Sequence, residues 1–308
     1  MIHDQADDLR QLVRQRATDD RARPSVPLVV VAGGKGDVGV TTTAENLTIA
    51  LARQGRRAVF VDADLDHGGN ATASQPASRG SIVDVLAGRR TVHDVLQRGP
   101  SGILVLPGAW PAGGLTDCSE VSERRMIGEL KNLAPQADVA VVDAGSGRGR
   151  FARDLWRAAD ALLVVTTPDA ASIRECYAAI KVLLDTPAAS ALQILVNLAE
   201  SSAVAVDVHA RIDAACRRFL GWQALSAGYV EPCSASRPED GVLVYPARSI
   251  SARALDRMAD TLWAQWQQQR KRHANGTSSE STGSASEGEF EMATTSCAER
   301  AKSNSVGL

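Results

Sequence analysis

Long apolar runs are missing from this sequence. No stretch approaches the ~20 consecutive apolar residues that a membrane-spanning helix needs, so the chain reads as one that does not cross a bilayer. Cysteine is sparse as well. The five residues stand at 118, 176, 216, 233 and 297 with no C-x-x-C between any of them, which points to a reducing, cytoplasmic protein without a cysteine-built metal site. Neither charge sign dominates: 34 Lys and Arg face 36 Asp and Glu, for a net charge of −2. A general basic bias toward nucleic acid is therefore excluded, and no nucleic-acid partner is expected. The opening Met1-Ile2-His3-Asp4 has neither the basic nor the apolar region of a signal peptide. Aromatic residues make up only 4%, against 44% hydrophobic overall. That supply is enough to bury one sizeable α/β core in 308 residues, and the length allows one or two domains.

What the chain does have is a glycine-rich stretch, Gly33-Gly34-Lys35-Gly36-Asp37-Val38-Gly39-Val40-Thr41-Thr42-Thr43, directly after the apolar run Leu28-Val29-Val30-Val31-Ala32. A helical segment follows from Thr42 to Arg53 and is closed by Gly55. Strand, glycine turn and helix start together let backbone N–H groups and a helix N-terminus hold a phosphate. Glycine is needed because a side chain would keep the backbone away from the ligand. Thr41 stands where a hydroxyl can ligate Mg²⁺. Two patterns overlap here. Gly34-x-Gly36-x-x-Gly39 fits the dinucleotide fingerprint, with Asp62 near the acidic position expected about 20 residues on. Lys35-Gly36-x-x-Gly39-x-Thr41 fits a phosphate-binding loop of the deviant Walker type, so the choice falls to the rest of the chain.

The next apolar run, Ala58 to Val61, ends in Asp62-Ala63-Asp64. Carboxylates at the C-terminal end of a parallel strand share the crevice of the glycine loop, and period-2 geometry places Asp62 and Asp64 on one side of the chain. One can organise Mg²⁺ and its waters, and the other can orient an attacking water. Val139 to Val142 is a further strand ending in an acid, Asp143. Short helices over 81–86 and 91–96, strands over 103–106, 161–166 and 193–196, and helices over 150–158 and 172–184 complete the alternation. Such alternation predicts an α/β fold: a doubly wound, mostly parallel sheet with helices on both faces.

The segments KGDVGVTTTAENL (35–47), FVDADLDHGGN (60–70), IVDVLAGRRTVHDVL (82–96), ILVLPG (103–108), VVDAGSG (141–147), VVTTPDAASIRECYAAIKVL (164–183) and LVNLAES (195–201) together resemble the MinD/ParA-type P-loop ATPases, and within them the FlhG/FleN branch that regulates flagellar number. The resemblance implies ATP and Mg²⁺ as ligands and a nucleotide-dependent homodimer. It implies that Lys35 reaches the phosphates of the other subunit and takes part in catalysis. Gly36, Asp37, Val38, Gly39, Val40, Thr41 and Thr42 become the nucleotide loop. Asp64 becomes the residue that positions the hydrolytic water, and Thr41, Asp62 and Asp143 the Mg²⁺ residues. Asn197 is expected to contact adenine, together with the loop near Glu231-Pro232. Two residues depart from the family pattern. Val40 replaces the lysine that neutralises the β- and γ-phosphates, and Asp37 replaces a glycine.

Residues 1–24 read as an amphipathic arm and linker, 25–268 as the nucleotide-binding domain, and 269–308 as a disordered tail rich in Ser, Thr and Glu. A last helix is expected from Ile250 to about Gln268, with Leu255, Met258, Ala259, Leu262 and Trp266 on one face. That face serves either packing on the sheet or weak peripheral membrane contact. In the arm, Asp4-Gln5-Ala6 and Leu9-Arg10 resemble the family segment that contacts an FlhF-like, signal-recognition-type GTPase. The implied function is an ATP-binding switch for flagellar placement or number, with weak or absent hydrolysis. The alternatives are a non-hydrolysing polar scaffold of the TadZ/CpaE kind and a dinucleotide-dependent enzyme. Deletion of residues 1–20 is expected to leave the melting temperature nearly unchanged and to abolish stimulation of the GTPase partner. A large loss of stability on deletion would sink this reading of the arm.

Overall fold

The apolar run before the glycine loop forms strand β1, Leu28–Gly33, and all of its residues are buried. A central strand of a parallel sheet is covered on both faces, so it reads as continuous β-branched and aliphatic residues rather than as an alternation. The computed structural model describes residues 25–64, 80–108, 119–147, 149–184, 191–234, 242 and 244–279, with side chains described as far as residue 268. The arm with Asp4, Gln5, Ala6, Leu9 and Arg10, and residues 280–308, lie outside the described residues.

The remaining strands are β2 (Ala58–Asp62), β3 (Gln97–Arg98), β4 (Leu104–Leu106), β5 (Val139–Asp143), β6 (Ala161–Thr166), β7 (Leu192–Asn197) and β8 (Leu225–Val230). The helices are α1 (Val40–Arg53), α2 (Ile82–Leu86), α3 (Val92–Val95), α4 (Glu120–Lys131), α5 (Arg150–Ala158), α6 (Ala170–Leu183), α7 (Ser202–Leu220) and α8 (Ile250–Ser279). The strands make one eight-stranded sheet in the order β3-β4-β2-β5-β1-β6-β7-β8. Every described pairing is parallel except that of β3 with β4. The doubly wound α/β fold expected from the sequence is the fold observed.

Period-2 geometry divides each strand between two cores. Val29, Val31, Phe60, Val141, Leu163 and Val165 pack with α1 and α8, whereas Leu28, Val30, Val61, Val142, Leu162 and Val164 pack with α2 to α7. The apolar stripe of α8 lies in the first of these cores: Leu255, Met258, Ala259 and Leu262 are all buried there. Of its two readings, packing on the sheet is the one that accounts for these residues. Trp263 completes that seam, with the Arg56 guanidinium 4.3 Å from its ring centre. Among the described residues no helix is long and apolar enough to cross a membrane. Burial pushes the Cys176 thiol up to about 12 and the Cys216 thiol up to about 11.

Several elements differ from the sequence expectation. Helix α1 starts at Val40 instead of Thr42. Helix α6 starts at Ala170 instead of Ser172, because the Asp169 carboxylate accepts the N–H groups of Ala171 and Ser172 and so caps it earlier. Helix α8 continues to Ser279, past Gln268 and into the segment read as tail. The sheet's compact unit ends at Trp266, and residues 267–308 form a second unit whose described part is helical. Helices α4 and α7 and the edge strands β3 and β8 had not been assigned. For α7 the signals were present: Ser201 caps its start, Ala205, Val208, Ile212 and Cys216 form its buried stripe, and Gly221 ends it in the left-handed region.

Asn46 joins the glycine-loop helix to the C-terminal segment. Its Oδ1 accepts the Tyr245 N–H at 2.7 Å, and its Nδ2 donates to the Thr42 carbonyl at 2.8 Å. The side chain is buried. Asn46→Ala strips a buried backbone donor of its acceptor, which costs about 1–3 kcal/mol. Urea denaturation is expected to show a loss of that size. A change below about 0.5 kcal/mol, the ordinary surface range, would contradict the role given to Asn46.

Candidate functional site

The site is built at the C-terminal edge of the sheet, where β1 lies between β5 and β6. The chain leaves β5 on one side of β1 and re-enters the sheet at β6 on the other, so connections depart in opposite directions and leave a crevice. The glycine loop, residues 34–39, fills this position. Two of its glycines are required by close packing. A Cβ on Gly34 would sit 2.1 Å from the carbonyl oxygen of Glu175 in α6. Gly39 has φ +86°, and a Cβ there would meet the Asn197 amide at 2.3 Å. Gly39 is also the N-cap of α1 and provides no side-chain cap. The first-turn N–H groups of α1 therefore lack a side-chain acceptor at their N-cap, which is the condition for receiving an anion.

Asn197 had been expected to contact adenine. Its side chain is buried, and its Nδ2 donates to the Val38 carbonyl at 2.9 Å. That bond ties the glycine loop to the end of β7. Asn197 pairs in register with Val230, so Glu231 and Pro232 follow at the same sheet edge. Ser251 of α8 donates its hydroxyl to the Glu231 carbonyl at 2.9 Å. Gly36 and Thr41 are half-buried, Thr42 uses its carbonyl to hold Asn46, and Val38 is buried.

The two departures from the family pattern have distinct geometries. Asp37 is exposed and adopts φ 61°. Aspartate tolerates the left-handed region better than most residues, so the turn survives without glycine. Val40, at the first position of α1, is 7% exposed. Its Cγ2 would be 2.9 Å from a Cβ on Gly33, so it packs inward against the end of β1. A lysine at this position has to leave that packing to reach the loop.

The carboxylates gather across from the loop. Asp62 and Asp143 are register partners on adjacent strands and both are buried. Asp143 Oδ1 accepts the Gly145 N–H at 2.9 Å. Asp64, however, is not on the same flank as Asp62. The Asp62 carboxylate lies against Gly108 after β4, and that of Asp64 lies against Gly145 after β5. The strand ends at Asp62, so the two-residue alternation no longer governs Asp64. Among the described residues no group of three His, Cys, Asp or Glu side chains forms a ready ion cage. Mg²⁺ suits such a site, because it keeps several waters and takes few protein ligands.

Lys35 is tethered within its own chain. Its Nζ is 3.6 Å from Asp169 Oδ1 and 3.4 Å from Ser172 Oγ. Asp169 also accepts the hydroxyls of Ser172 at 2.5 Å and Thr167 at 2.6 Å. These hydroxyls, the Ser172 one foremost, hold the Asp169 carboxyl well below the usual carboxylate range, with Lys35 a smaller contributor. The sequence reading had missed this partner. The cap pattern, Asp169 with Ser172 three residues on, was the signal that could have found it.

A family model for an AAA domain matches residues 26–186. The chain is 32% identical over 195 residues to the antiactivator FleN of Pseudomonas aeruginosa, covering 63% of this chain and 70% of FleN. It is 25% identical over 154 residues to the flagellum site-determining protein YlxH of Helicobacter pylori, covering 50% of this chain and about half, 52%, of that relative. The cell division ATPase MinD of Pyrococcus furiosus has a similar fold, with a TM-score of 0.61 at 21% identity over 77% of this chain and 98% of that one. With the family model spanning more than half of the chain and FleN matched over more than two thirds of its length, this protein belongs to the MinD/ParA-type P-loop family, in its FlhG/FleN branch.

Proposed function

We propose that this protein is a nucleotide-dependent regulatory switch that controls the placement or number of flagella. It binds ATP with Mg²⁺, dimerises on binding, and acts through an FlhF-like GTPase at the cytoplasmic face of the membrane. One observation carries the reading: the glycine loop runs into an uncapped helix N-terminus, across β1 and β5 from Asp62 and Asp143. The likeness to FleN and YlxH supplies the biological setting.

In this reading the backbone of residues 36–41 cradles the phosphates, and Thr41 with Asp62 and Asp143 holds Mg²⁺ and its waters. Held there, Mg²⁺ would supply positive charge to offset that of the phosphates. Asp64 orients the attacking water. Asn197 and Glu231-Pro232 border the base, with Asn197 holding Val38 in place. Lys35 leaves Asp169 to meet the partner subunit's nucleotide. Sedimentation of the wild type and of Lys35→Ala with Mg·ATP tests this role. The wild type is expected to dimerise and the variant to stay monomeric, whereas monomers in both cases would count against the shared-nucleotide dimer.

Val40 favours slow chemistry. A P-loop lysine is a point charge on the β- and γ-phosphates, and valine offers neither charge nor donor. Asp37 adds a like charge beside a triphosphate, a penalty that salt softens. Turnover is therefore expected to fall short of ordinary family members by about 10²-fold, the scale of removing one preorganised charge-stabilising donor. The same two residues suit the second reading, a non-hydrolysing polar scaffold. Val40→Lys with Asp37→Gly is expected to raise Mg·ATP affinity and turnover together, measured by calorimetry and phosphate release. No gain, or full family-level turnover by the wild type, refutes this account of the loop. A parallel NAD(H) titration is expected to show no binding; saturable binding there would favour a dinucleotide enzyme.

A further inference from the structure

Helices α4 and α5 meet over a group of carboxyls. Glu123 of α4 is 3% exposed, and its Oε1 accepts the Arg150 guanidinium at 3.1 Å. Its other oxygen, Oε2, is sealed from solvent and receives no hydrogen bond from the described residues. The Asp154 carboxyl of α5 lies within hydrogen-bonding reach of Glu123. Asp154 is itself paired with Arg157 at 2.8 Å, and its side chain is 17% exposed against 4% for that of Glu123. Glu120, three residues back on α4, adds a further negative charge and is paired with Arg124.

Two ionised carboxylates cannot bond each other, because both only accept. A buried oxygen left without a donor beside a second carboxyl is satisfied by one proton held between the two. That proton belongs on Glu123, the more deeply buried of the pair, where ionisation costs most. We infer that Glu123 and Asp154 share one proton in the folded chain, and that this proton clasps α4 to the first two turns of α5. Helix α5 is the element that follows the loop after Asp143 and Gly145. The clasp is therefore a pH-sensitive hold on the segment that follows the candidate site. Burial foremost raises the Glu123 carboxyl above its ordinary range; Arg150 opposes this, and Asp154 and Glu120 add to it. Elsewhere around α4 the charged groups have other partners. Asp84 of α2 is bonded to Arg89, Asp94 of α3 to Thr91, His93 to Gln136, and Glu129 of α4 itself to the Val92 N–H.

A carboxyl raised above its ordinary 4.5 binds its proton more tightly in the folded chain than in the unfolded one. Its contribution to stability is complete below 4.5 and is lost as pH rises through the folded value. Nothing in this argument depends on a bound nucleotide. The test is urea denaturation of the full chain between about pH 5 and 8, comparing the wild type with Glu123→Gln. The amide keeps an oxygen for Arg150 and gives Asp154 a permanent N–H donor, so the variant stands for the protonated pair. The unfolding equilibrium constant of the wild type is expected to rise relative to that of the variant by at least about threefold across this range. The carboxyl carbon of Glu123, followed by NMR and identified by its loss in the variant, is expected to titrate above 4.5. Asp154→Asn offers Glu123 a donor without a second charge, and is expected to move that titration downward. A ratio of the two unfolding constants that stays constant or falls as pH rises overturns the proposal. So does a Glu123 carboxyl that titrates at or below 4.5, or one whose titration is not lowered by Asp154→Asn.

Discussion

The contact on which this structure depends is that of the glycine loop with two backbones far away in sequence. Gly34 lies against the Glu175 carbonyl of α6, and Val38 gives its carbonyl to the Asn197 amide at the end of β7. A loop of glycines is costly in chain entropy and has no shape of its own. It acquires one here because β1, β6 and β7 are neighbours in the sheet and bring α6 and Asn197 up against it. The parallel order of those strands is thus the cause of the loop's geometry. The register of β2 with β5, which sets Asp62 beside Asp143, is the cause of the acidic wall opposite.

The same packing explains why the loop tolerates its two unusual residues. Asp37 occupies a position with positive φ but on the exposed side, where its charge stays solvated. Val40 turns into the core that α1 shares with β1. Neither residue disturbs the fold, and both act on what a phosphate would meet. Fold and chemistry are separable in this loop: its shape rests on glycines and distant backbone, and its charge rests on its side chains.

Lys35 and Trp156 show how a site extends past its motif. Lys35 belongs to the loop by sequence, but in the folded chain its neighbours are the α6 cap residues Asp169 and Ser172. Trp156 lies far from the loop in sequence and closes a cavity that begins at Gly34. In both cases α6 is the connecting element, lying beside the loop, the cap network and the α5 surface.

The sequence by itself determined the class of fold, because strand burial and helix alternation are written in local periodicity. It determined most of the loop, since glycine spacing after an apolar strand has few other uses. Val40 and Asp37 were visible as departures for the same reason. The tertiary structure alone decided the rest. Asn197 bonds the loop backbone at Val38, and Asp64 separates from Asp62 once β2 ends, because both depend on which strand lies alongside. The stripe of α8 could have met lipid or sheet, and it is the presence of α1 and the sheet face that buries Leu255, Met258, Ala259 and Leu262. Local patterns encode which side of an element is apolar; what covers that side is a property of contacts between residues far apart in the chain.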